Sequence, residues 1–279
     1  IGYRLVGSEM CIRDRIKNTF LPPTALKMMK SFNPSKTVKN LKLRTVGSGG
    51  EALGEDLLEW GKQILGVGIN EFYGQTECNL TVSNCGAIMP TRQGSIGKPV
   101  PGHEVRIINE NGELIKEPGL DGEIIVKSDT PVSFLKYWEN DKATKQKVRD
   151  GWLYTGDFAY KDEEGYFYFK GRKDDIINTS GYRVGPSEVE DAVLSHPKVS
   201  MVAVIGIPDK LRGHIIKAFV VPRDHNNVLA KNEILKRSIQ NHVKLKLAAH
   251  EYPRLIEFVY ELPLTTTGKI IRKDLRENN

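Results

Sequence analysis

A hydroxyl and a carboxylate stand side by side in the run Tyr73-Gly74-Gln75-Thr76-Glu77. A threonine hydroxyl can donate a hydrogen bond to a phosphate oxygen, and a carboxylate can hold Mg²⁺, which usually binds through one or two carboxylates plus phosphates. Gly74 lets a ligand approach the backbone because it has no side chain. The run therefore suits a ligand with phosphate groups. A capping pair at the exit from a strand explains Thr76 and Glu77 equally well.

Two further residues could contact a sugar or an anion. Asp157 follows a glycine, so its carboxylate can turn outward and accept hydrogen bonds from two vicinal hydroxyls, as acidic residues do in ribose sites. An aspartate in an Asx-turn is the alternative. Lys269 follows Gly268 just before a predicted last helix, where a lysine could reach an anion as a flexible point charge. Its local sequence favours an ordinary surface lysine.

Hydrophobic periodicity predicts the elements that position residues 73–77. Residues 41–46 alternate as a half-buried strand does, residues 47–51 form a glycine-rich loop, and residues 53–65 carry leucines at helical spacing. Residues 67–72 form a second strand that ends at the run. Strand, loop and helix in this order predict an open α/β sheet, whose ligands bind at the carboxyl ends of the strands. Neither the Walker nor the dinucleotide glycine pattern occurs.

Further elements are predicted on both sides of this sheet. Upstream, Thr24 is expected to be the N-cap of a helix that follows two prolines. Downstream, residues 104–108 and 123–127 alternate as strands, residues 137–147 form a polar helix, and residues 165–170 form an aromatic strand.

The composition changes after Asp174. Ile176-Ile177 is the first apolar segment and forms the first strand, and a helix over residues 187–194, capped by Ser187, precedes a strand over residues 199–207. The remaining elements are strands at 218–221 and 255–260 with a basic helix at 231–243 between them. These form a β-α-β-β-α-β unit of about 100 residues, which can be a compact α+β domain by itself.

Composition excludes several classes of protein. The chain has 279 residues, of which 39% are hydrophobic and 27% charged, as in ordinary globular proteins. No window resembles the run of about 18 apolar residues that a transmembrane helix needs. The net charge of +6 is spread along the chain, which argues against a nucleic-acid reader. Three cysteines argue against a disulfide scaffold, and they lack the spacing of a zinc site.

The first fifteen residues show neither a helical nor a strand period, and they lack the apolar core of a signal peptide. The chain also begins at Ile1 rather than at a methionine. We expect residues 1–15 to be non-native or disordered, and the native N-terminus to be missing.

Five motifs in a fixed order resemble the acyl-adenylate-forming superfamily, the AMP-dependent synthetases and ligases. They are Tyr-Gly-Gln-Thr-Glu at 73–77, Tyr-Thr-Gly-Asp at 154–157, Gly-Arg-Lys-Asp-Asp-Ile-Ile at 171–177, Ser-Gly-Tyr-Arg-Val-Gly-Pro-Ser-Glu-Val-Glu at 180–190, and Thr-Gly-Lys at 267–269. The resemblance runs from about residue 16 to the end. The sequence after Arg172, with Arg212-Gly213 and Tyr252-Pro253-Arg254, is most similar to acyl-CoA synthetases of the medium-chain and acetyl group.

The resemblance implies a fold of two parts. Residues 16–173 would be the C-terminal part of a large AMP-binding domain built of sheets and helices. Residues 174–279 would be a small, mobile α+β domain that swings about a hinge at Asp174. The chain would thus be the C-terminal half of a synthetase.

The resemblance also implies a reaction in two steps. A carboxylate attacks the α-phosphate of ATP to give acyl-AMP and pyrophosphate, and the thiol of coenzyme A then takes the acyl group and releases AMP. Thr76 would contact the α-phosphate, Glu77 would hold Mg²⁺, and Lys269 would offset charge in the adenylation transition state. The other implied nucleotide contacts are Gly50, Glu51, Glu71 and Tyr73 on the adenine side, Asp157 and Arg172 at the ribose, and Arg183.

The implied contacts with coenzyme A come from the small domain. Gly181 and Tyr182 would border the pantetheine tunnel, and Arg212 and Lys244 would bind the phosphates of the coenzyme. The domain rotation would bring Lys269 to the site for the first step and these residues for the second.

Two departures from the family pattern matter. The superfamily's Ser/Thr/Gly-rich phosphate loop, ending in Pro-Lys, is absent from this sequence, so we expect this chain alone to adenylate poorly or not at all. Acetyl-specific members carry a tryptophan at the position of Gly74. Glycine is expected to leave that path open and to favour an acyl group longer than acetyl.

Two alternatives remain beside the acyl-CoA synthetase. In the first, the enzyme adenylates a carboxylate but loads it onto a carrier-protein thiol. In the second, the chain is an inactive fragment or binding module that uses only the small domain. For the synthetase we expect a cytoplasmic location, or the mitochondrial matrix in a eukaryote, with a carboxylic acid, ATP and coenzyme A as partners.

Overall fold

The computed structural model of the chain describes residues 15–31, 41–50, 53–224, 232–265 and 270–277. The chain divides into two compact units, Ile1–Phe169 and Lys170–Asn279. The predictions for residues 1–14, Glu51 and Lys269 lie outside the described residues.

A mixed sheet forms the first part of the first unit, with strand order β1-β2-β3-β4-β5. β1, β2 and β3 are parallel, whereas β4 and β5 run antiparallel to their neighbours. Helices lie between the parallel strands, as the α/β prediction requires. The strands are β1 (Asn18–Phe20), β2 (Thr45–Gly49), β3 (Ile69–Gln75), β4 (Asn79–Ser83) and β5 (Lys98–Pro99), and the helices are α1 (Pro23–Ser31) and α2 (Glu55–Trp60).

An antiparallel sheet follows, with order β10-β9-β7-β6 and β8 paired to β9, and its strand β10 contains the boundary between Phe169 and Lys170. The polar helix α3 (Asp141–Lys147) leads directly into β8. The strands are β6 (Val105–Ile108), β7 (Gly122–Lys127), β8 (Val148–Arg149), β9 (Trp152–Lys161) and β10 (Phe167–Arg172). A hydrophobic cluster that includes Tyr73, Val82, Ile124 and Leu153 joins β3 and β4 to this second sheet. The two sheets therefore share a core, which fixes the end of β3 against β9.

The second unit is built on one sheet with order β12-β11-β14-β13, to which β15 adds in parallel beside β14. Its elements are β11 (Ile177–Thr179), β12 (Tyr182–Val184), α4 (Pro186–Leu194), β13 (Val199–Asp209), β14 (Gly213–Pro222), α5 (Glu233–Lys244), β15 (Leu255–Phe258) and α6 (Arg272–Glu277). Successive side chains of β13 point to opposite faces. Val202 and Val204 pack towards α4 and α5, while Ala203 and Ile205 pack with Leu262. Both faces of the sheet are therefore covered.

Arginines attach α6 to the rest of the second unit. Nη2 of Arg272 lies 2.7 and 2.9 Å from the two carboxylate oxygens of Glu190. Arg276 donates to Asp175 at 2.7 Å. Because the Arg272–Glu190 pair is bidentate and mostly removed from solvent, it holds the helix in one orientation.

Two histidines meet where α4 ends against α5. The rings of His196 and His242 pack edge to face with centroids 5.3 Å apart. His242 shares a hydrogen bond with Ser195, and His196 with Ser238, at 2.8 and 3.1 Å. Burial, with a smaller contribution from neighbouring positive groups, lowers the pKa of both histidines below the ordinary 6.5. Both imidazoles are thus favoured in the neutral form.

The mixed α/β and α+β architecture predicted from the sequence is confirmed. The prediction of a glycine loop at 47–49 was wrong, because Gly47 and Gly49 belong to β2. A side chain at Gly47 would place its Cβ 2.6 Å from the Phe72 ring, and one at Gly49 would place it 2.7 Å from the Phe72 carbonyl oxygen. These glycines allow β2 and β3 to approach each other closely.

Several predicted helix ends were also wrong. α1 begins at Pro23, so Thr24 lies within its first turn, and α4 begins at Pro186 with Gly185 as its N-cap, so Ser187 is not the cap. Proline is favoured at the first position of a helix because its fixed φ matches the helix and its missing N–H is not needed there. Asn140 caps α3 through its side chain, so the helix begins at Asp141 rather than at residue 137 as predicted.

β11 corresponds to the first strand of the β-α-β-β-α-β unit expected from the sequence, and β12, which pairs with it, is an addition to that unit. The part of the chain that the structure describes contains no helix long and apolar enough to cross a membrane.

Candidate active site

The run 73–77 spans the end of β3 and the turn that follows. β3 ends at Gln75, and the chain returns as β4 from Asn79. The amide of Cys78 donates to the Gln75 carbonyl at 3.1 Å and closes the turn. Thr76 is exposed and Glu77 is half-buried. The hydroxyl and the carboxylate therefore lie just past the strand, as the sequence predicts.

The expectation that Gly74 leaves an open path was wrong. A Cβ built at this position would lie 1.7 Å from the carbonyl oxygen of Asn79, and 2.9 Å from the Cα of Leu80. The register of β3 and β4 also shifts between Tyr73 and Gly74. The backbone of the neighbouring strand thus fills the space that a side chain would need. Gly74 here allows a close approach of two strands, and the expected preference for an acyl group longer than acetyl stays a prediction.

Asp157 lies within β9 and is only 5% exposed, so the predicted outward carboxylate and the alternative of an Asx-turn were both wrong. Its Oδ2 accepts a hydrogen bond from the Tyr73 hydroxyl at 2.7 Å and from Nε2 of Gln75 at 2.5 Å. These contacts join two motifs that lie more than 80 residues apart in the chain. They supply partners to a charged group that would otherwise be costly to bury.

A local irregularity in β9 directs Asp157 towards β3. Gly156 has a φ of +74°, and the pairing of β7 with β9 shifts register between Glu123 and Ile125. The Gly156 amide donates to a carboxylate oxygen of Glu123 at 3.0 Å. Irregularities of this kind often re-aim a side chain beside an active site. Gly156 is suited to the position because a positive φ is strained for other residues.

Burial raises the pKa of the Tyr73 hydroxyl well above the ordinary 10.0, and the negative charge of Asp157 raises it further. The phenol consequently keeps its proton and remains a donor to Asp157 at every physiological pH. The pair is a charge-assisted hydrogen bond, which is stronger than one between neutral groups.

Two residues that sequence reasoning left without a role complete this network. Lys147, the last residue of α3, donates to Oε1 of Gln75 and to the Thr155 carbonyl, both at 3.0 Å. Thr155 is fully buried, and its hydroxyl donates to the Ile124 carbonyl at 2.7 Å. Thr155 lies inside the Tyr-Thr-Gly-Asp motif at 154–157. Lys147 is one lysine of a polar helix, and nothing in the sequence distinguishes it from the others.

Glu77 is held by the loop that precedes α3. Its Oε1 accepts a hydrogen bond from the Tyr137 hydroxyl at 2.6 Å, and its carbonyl accepts from the Phe134 amide at 2.8 Å. The described residues contain no group of three or more histidines, cysteines and acidic residues that could hold a metal ion. A carboxylate is the kind of oxygen ligand that Mg²⁺ prefers, usually together with substrate phosphates. Glu77 could therefore supply one ligand to this ion.

Glu71 lies in β3, and Gly50 directly follows β2, the neighbouring strand. Glu71 is buried, and its Oε1 accepts from the Leu53 amide at 3.3 Å. Gly50 has a φ of +98° directly after β2. Glu71 is thus hydrogen-bonded to Leu53, which lies close in sequence to the predicted adenine contacts Gly50 and Glu51.

Three predicted contacts of the second unit lie on or beside the β11–β12 hairpin. Gly181 lies in its turn, and Tyr182 and Arg183 lie in β12. The Ser180 amide in this turn donates to the Arg212 carbonyl at 2.9 Å, so Arg212 lies next to the hairpin. Exposed Tyr182 stacks on His250 with a centroid distance of 3.9 Å.

Lys244 and Arg172 occupy other parts of the second unit. The Lys244 ammonium lies 4.2 Å from the ring centroid of Tyr252, two residues along the loop from His250. Arg254 also packs on the Tyr252 ring, at 5.0 Å, and donates to its hydroxyl. Arg172 is exposed, and its carbonyl closes the turn at Asp174 by accepting from Asp175 and Ile176.

Two units with these motifs in this order have the architecture of an acyl-adenylate-forming enzyme. The family model described as AMP-binding enzyme matches residues 8–138, and the one described as AMP-binding enzyme C-terminal domain matches residues 188–269. The chain belongs to the AMP-binding enzyme family, the acyl-adenylate-forming superfamily.

Within that family the chain is close to medium-chain acyl-CoA synthetases. It is 42% identical over 259 residues to the mitochondrial acyl-coenzyme A synthetase ACSM3 of Rattus norvegicus, covering 91% of this chain and 44% of that protein. It is 41% identical over 271 residues to an uncharacterized acyl–CoA ligase of Bacillus subtilis (strain 168), covering 96% of this chain and 50% of that protein.

The chain is also similar to a solved structure. The anthranilate CoA ligase AuaEII in complex with anthranoyl-AMP is 34% identical, has a TM-score of 0.86, and is matched over 97% of this chain and 51% of its own. The chain thus spans about half the length of the proteins that it matches.

Proposed function

We propose that this chain belongs to an acyl-CoA synthetase, which joins a carboxylic acid to coenzyme A through an acyl adenylate. The observation that carries this proposal is the hydrogen-bonded network of Tyr73, Gln75 and Asp157, which brings two nucleotide motifs together. The similarity to an acyl-coenzyme A synthetase and to a ligase that holds an acyl-AMP supports the same chemistry.

In the first step, a carboxylate oxygen of the acid attacks the α-phosphorus of ATP, and the bond to pyrophosphate breaks. We propose that Asp157 accepts hydrogen bonds from the ribose hydroxyls, since a carboxylate has roughly four acceptor positions. The exposed hydroxyl of Thr76 is free to turn towards an α-phosphate oxygen, given its place after the strand. Arg172 and Arg183 would add positive charge to the nucleotide site from the second unit.

We assign the adenine side to Gly50, Glu51, Glu71 and Tyr73. The contact from buried Glu71 to the Leu53 amide supports this, because it ties β3 to the segment after Gly50. Glu77 would hold Mg²⁺, which, when bound, neutralises negative charge on the triphosphate. The Tyr137 hydroxyl orients Glu77 for that role.

Lys269 is proposed to offset the charge that develops as the carboxylate attacks. Such a contact acts on the transition state, so its loss costs roughly 10²–10³ in rate. Arg272, three residues further along, is anchored by Glu190, which supports a fixed path for the chain beyond Lys269.

In the second step, the thiol of coenzyme A attacks the acyl carbon, loses its proton, and displaces AMP. We propose that Gly181 and Tyr182 border the pantetheine chain and that Arg212 and Lys244 bind the coenzyme's phosphates. The hydrogen bond between the hairpin turn and Arg212 supports a shared surface for these groups. Asp174 is exposed in a turn at the start of the second unit. A rotation about this residue would replace the residues that serve the first step with those that serve the second.

The acid is proposed to be of medium chain length because the chain is close to medium-chain acyl-CoA synthetases. The site of action is proposed to be the cytoplasm, or the mitochondrial matrix in a eukaryote. An enzyme that loads a carrier-protein thiol is the second candidate. Loss of both Arg212 and Lys244 would raise the Michaelis constant for coenzyme A in a synthetase and leave carrier loading unchanged.

The test is ATP–pyrophosphate exchange with a panel of straight-chain carboxylic acids, run on this chain and on a version extended upstream to the length of its relatives. Exchange by either protein supports adenylation, and the best acid defines the pocket. Exchange by neither protein, with any acid, would refute the proposal.

Half-reactions separate the roles of individual residues. Lys269→Ala is expected to block formation of acyl-AMP and to spare thioester formation from supplied acyl-AMP. Lys273→Ala is the matched control, because Lys273 is an exposed lysine four residues away that pairs only loosely with Glu277. Equal loss of both half-reactions in Lys269→Ala would contradict its assignment.

A further inference from the structure

We propose that Lys147 is a positioning residue for nucleotide binding, which fixes the side-chain amide of Gln75 and, through it, the carboxylate of Asp157. The inference rests on the proposed function, because it takes Asp157 as the acceptor of the ribose hydroxyls. It adds a residue that lies outside every motif named above.

The three side chains form a continuous chain of hydrogen bonds. The Lys147 ammonium lies 3.0 Å from Oε1 of Gln75. On the other side of the same amide, Nε2 lies 2.5 Å from Oδ2 of Asp157. Lys147 thus reaches the carboxylate through one intervening side chain.

The chemistry of an amide explains why the lysine matters. The oxygen and nitrogen of a glutamine amide are nearly equal in size, so sterics alone allow either of two orientations. A lysine ammonium can only donate hydrogen bonds, and a carboxylate can only accept them. The amide oxygen must therefore face Lys147 and the amide nitrogen must face Asp157. The reversed orientation would set oxygen against carboxylate and NH₂ against ammonium.

The Thr155 carbonyl completes the arrangement. It accepts hydrogen bonds from Lys147 at 3.0 Å and from Nε2 of Gln75 at 2.9 Å. The Thr155 hydroxyl accepts from the Asp157 amide at 3.0 Å. Lys147 and Gln75 are consequently both tied to the strand that carries Asp157, so α3, β3 and β9 present the carboxylate in one orientation.

The experiment measures how strongly the protein distinguishes AMP from 2′,3′-dideoxy-AMP, which lacks both ribose hydroxyls. Affinities for the two nucleotides are determined by calorimetry on the chain and on its upstream-extended version. The ratio of the two affinities reports the ribose contact alone, whereas general loss of folded protein lowers both affinities together.

Lys147→Met is expected to reduce the preference for AMP by about tenfold, the scale of one hydrogen bond to a charged group. Lys147→Arg should keep the preference within about twofold, because a guanidinium also only donates. Gln75→Glu should lose the preference like Lys147→Met, since it can accept from Lys147 but cannot donate to Asp157. Lys145→Met, at an exposed lysine on the same helix, should leave the ratio unchanged.

The outcomes distinguish this inference from the proposed function. If Asp157→Asn removes the preference and Lys147→Met keeps it, the role of Lys147 is refuted and the ribose site stands. If the unaltered protein shows no preference for AMP, or if Asp157→Asn keeps one, the ribose assignment itself fails. A parallel loss of affinity for both nucleotides in Lys147→Met would show that the lysine serves only stability.

Discussion

Replacing Tyr73 by phenylalanine removes one hydroxyl and little else. The ring remains in a buried cluster that includes Val82 and Leu153, so the volume of the core hardly changes. The variant lacks the 2.7 Å hydrogen bond from the phenol to Oδ2 of Asp157. A hydrogen bond to a charged group contributes about 1.5–3 kcal/mol to stability. We expect the free energy of unfolding at pH 8 to fall by that amount.

The same hydroxyl should make the free energy of unfolding depend on pH above about pH 10. Burial and Asp157 raise the pKa of Tyr73 in the folded protein well above 10.0, while the unfolded chain has the ordinary value. Above pH 10 the unfolded state therefore loses a proton that the folded state keeps. The stability linked to Tyr73 is fully present below pH 10, and it decreases by about 1.4 kcal/mol per pH unit as the pH rises towards the folded pKa.

Urea unfolding at pH 8, 9, 10 and 11 measures this difference. The gap in the free energy of unfolding between the unaltered protein and Tyr73→Phe should be constant up to pH 9, begin to narrow at pH 10 and be clearly narrower at pH 11. Other titrating groups cancel because they are present in both proteins. The control is Tyr168→Phe, in which the lost hydroxyl also bonds an aspartate but lies outside the site. The control should leave nucleotide affinity unchanged. A gap below about 0.5 kcal/mol at pH 8, or one that is equally wide at pH 11, would refute the reasoning.

Three further predictions follow from single contacts. In urea unfolding, Gly74→Ala should lower the free energy of unfolding by more than about 2 kcal/mol, because the new Cβ meets a backbone carbonyl. The control is Gly68→Ala, whose Cβ would have no other atom within 4 Å, and it should change the free energy of unfolding by less than about 1 kcal/mol. Arg272→Ala should lower the free energy of unfolding by about 1–3 kcal/mol in the same assay, whereas Lys273→Ala, at an exposed ion pair, should lower it by less than about 0.5 kcal/mol. Equal losses in the two variants would contradict the role of the Arg272–Glu190 pair in attaching α6. His242→Gln should lose less thermal stability than the unaltered protein when the pH falls from 7 to 5. The reason is that a histidine whose pKa is lowered by folding contributes stability above pH 6.5 and loses that contribution as the pH falls. An identical dependence of the melting temperature on pH in the two proteins would exclude this contribution of His242.

The elements of the fold could largely be predicted from hydrophobic period, because that period reflects burial. β13 alternates between two packed faces, and its strand is evident in the sequence. The ends of elements were harder to predict. Gly47 and Gly49 are typical of a loop in composition, yet they serve the close approach of β2 and β3. A glycine required by a neighbouring strand and a glycine required by a turn cannot be distinguished until the neighbour is known.

The candidate site was predictable only in part for a related reason. Thr76 and Glu77 lie next to each other in sequence, and the end of a strand fixes where they stand. The side-chain partners of Asp157 lie on another strand, and the lysine that acts through one of them lies on a helix. No local sequence pattern indicates these contacts. Lys147 is one of many lysines in a polar segment, and only the tertiary structure shows that it contacts Gln75.

The burial of Asp157 is itself an argument that this network is more than a support for the fold. An ionised carboxylate inside a strand is expensive unless it is paired and hydrogen-bonded, and an apolar residue between two packed sheets would be simpler to accommodate. The protein instead surrounds Asp157 with a phenol, an amide and a lysine that acts through the amide. Residues that break a local rule and are compensated by several others are expected where a function requires them. An acceptor held in one orientation, with its donors fixed before the ligand arrives, is what recognition of vicinal hydroxyls requires.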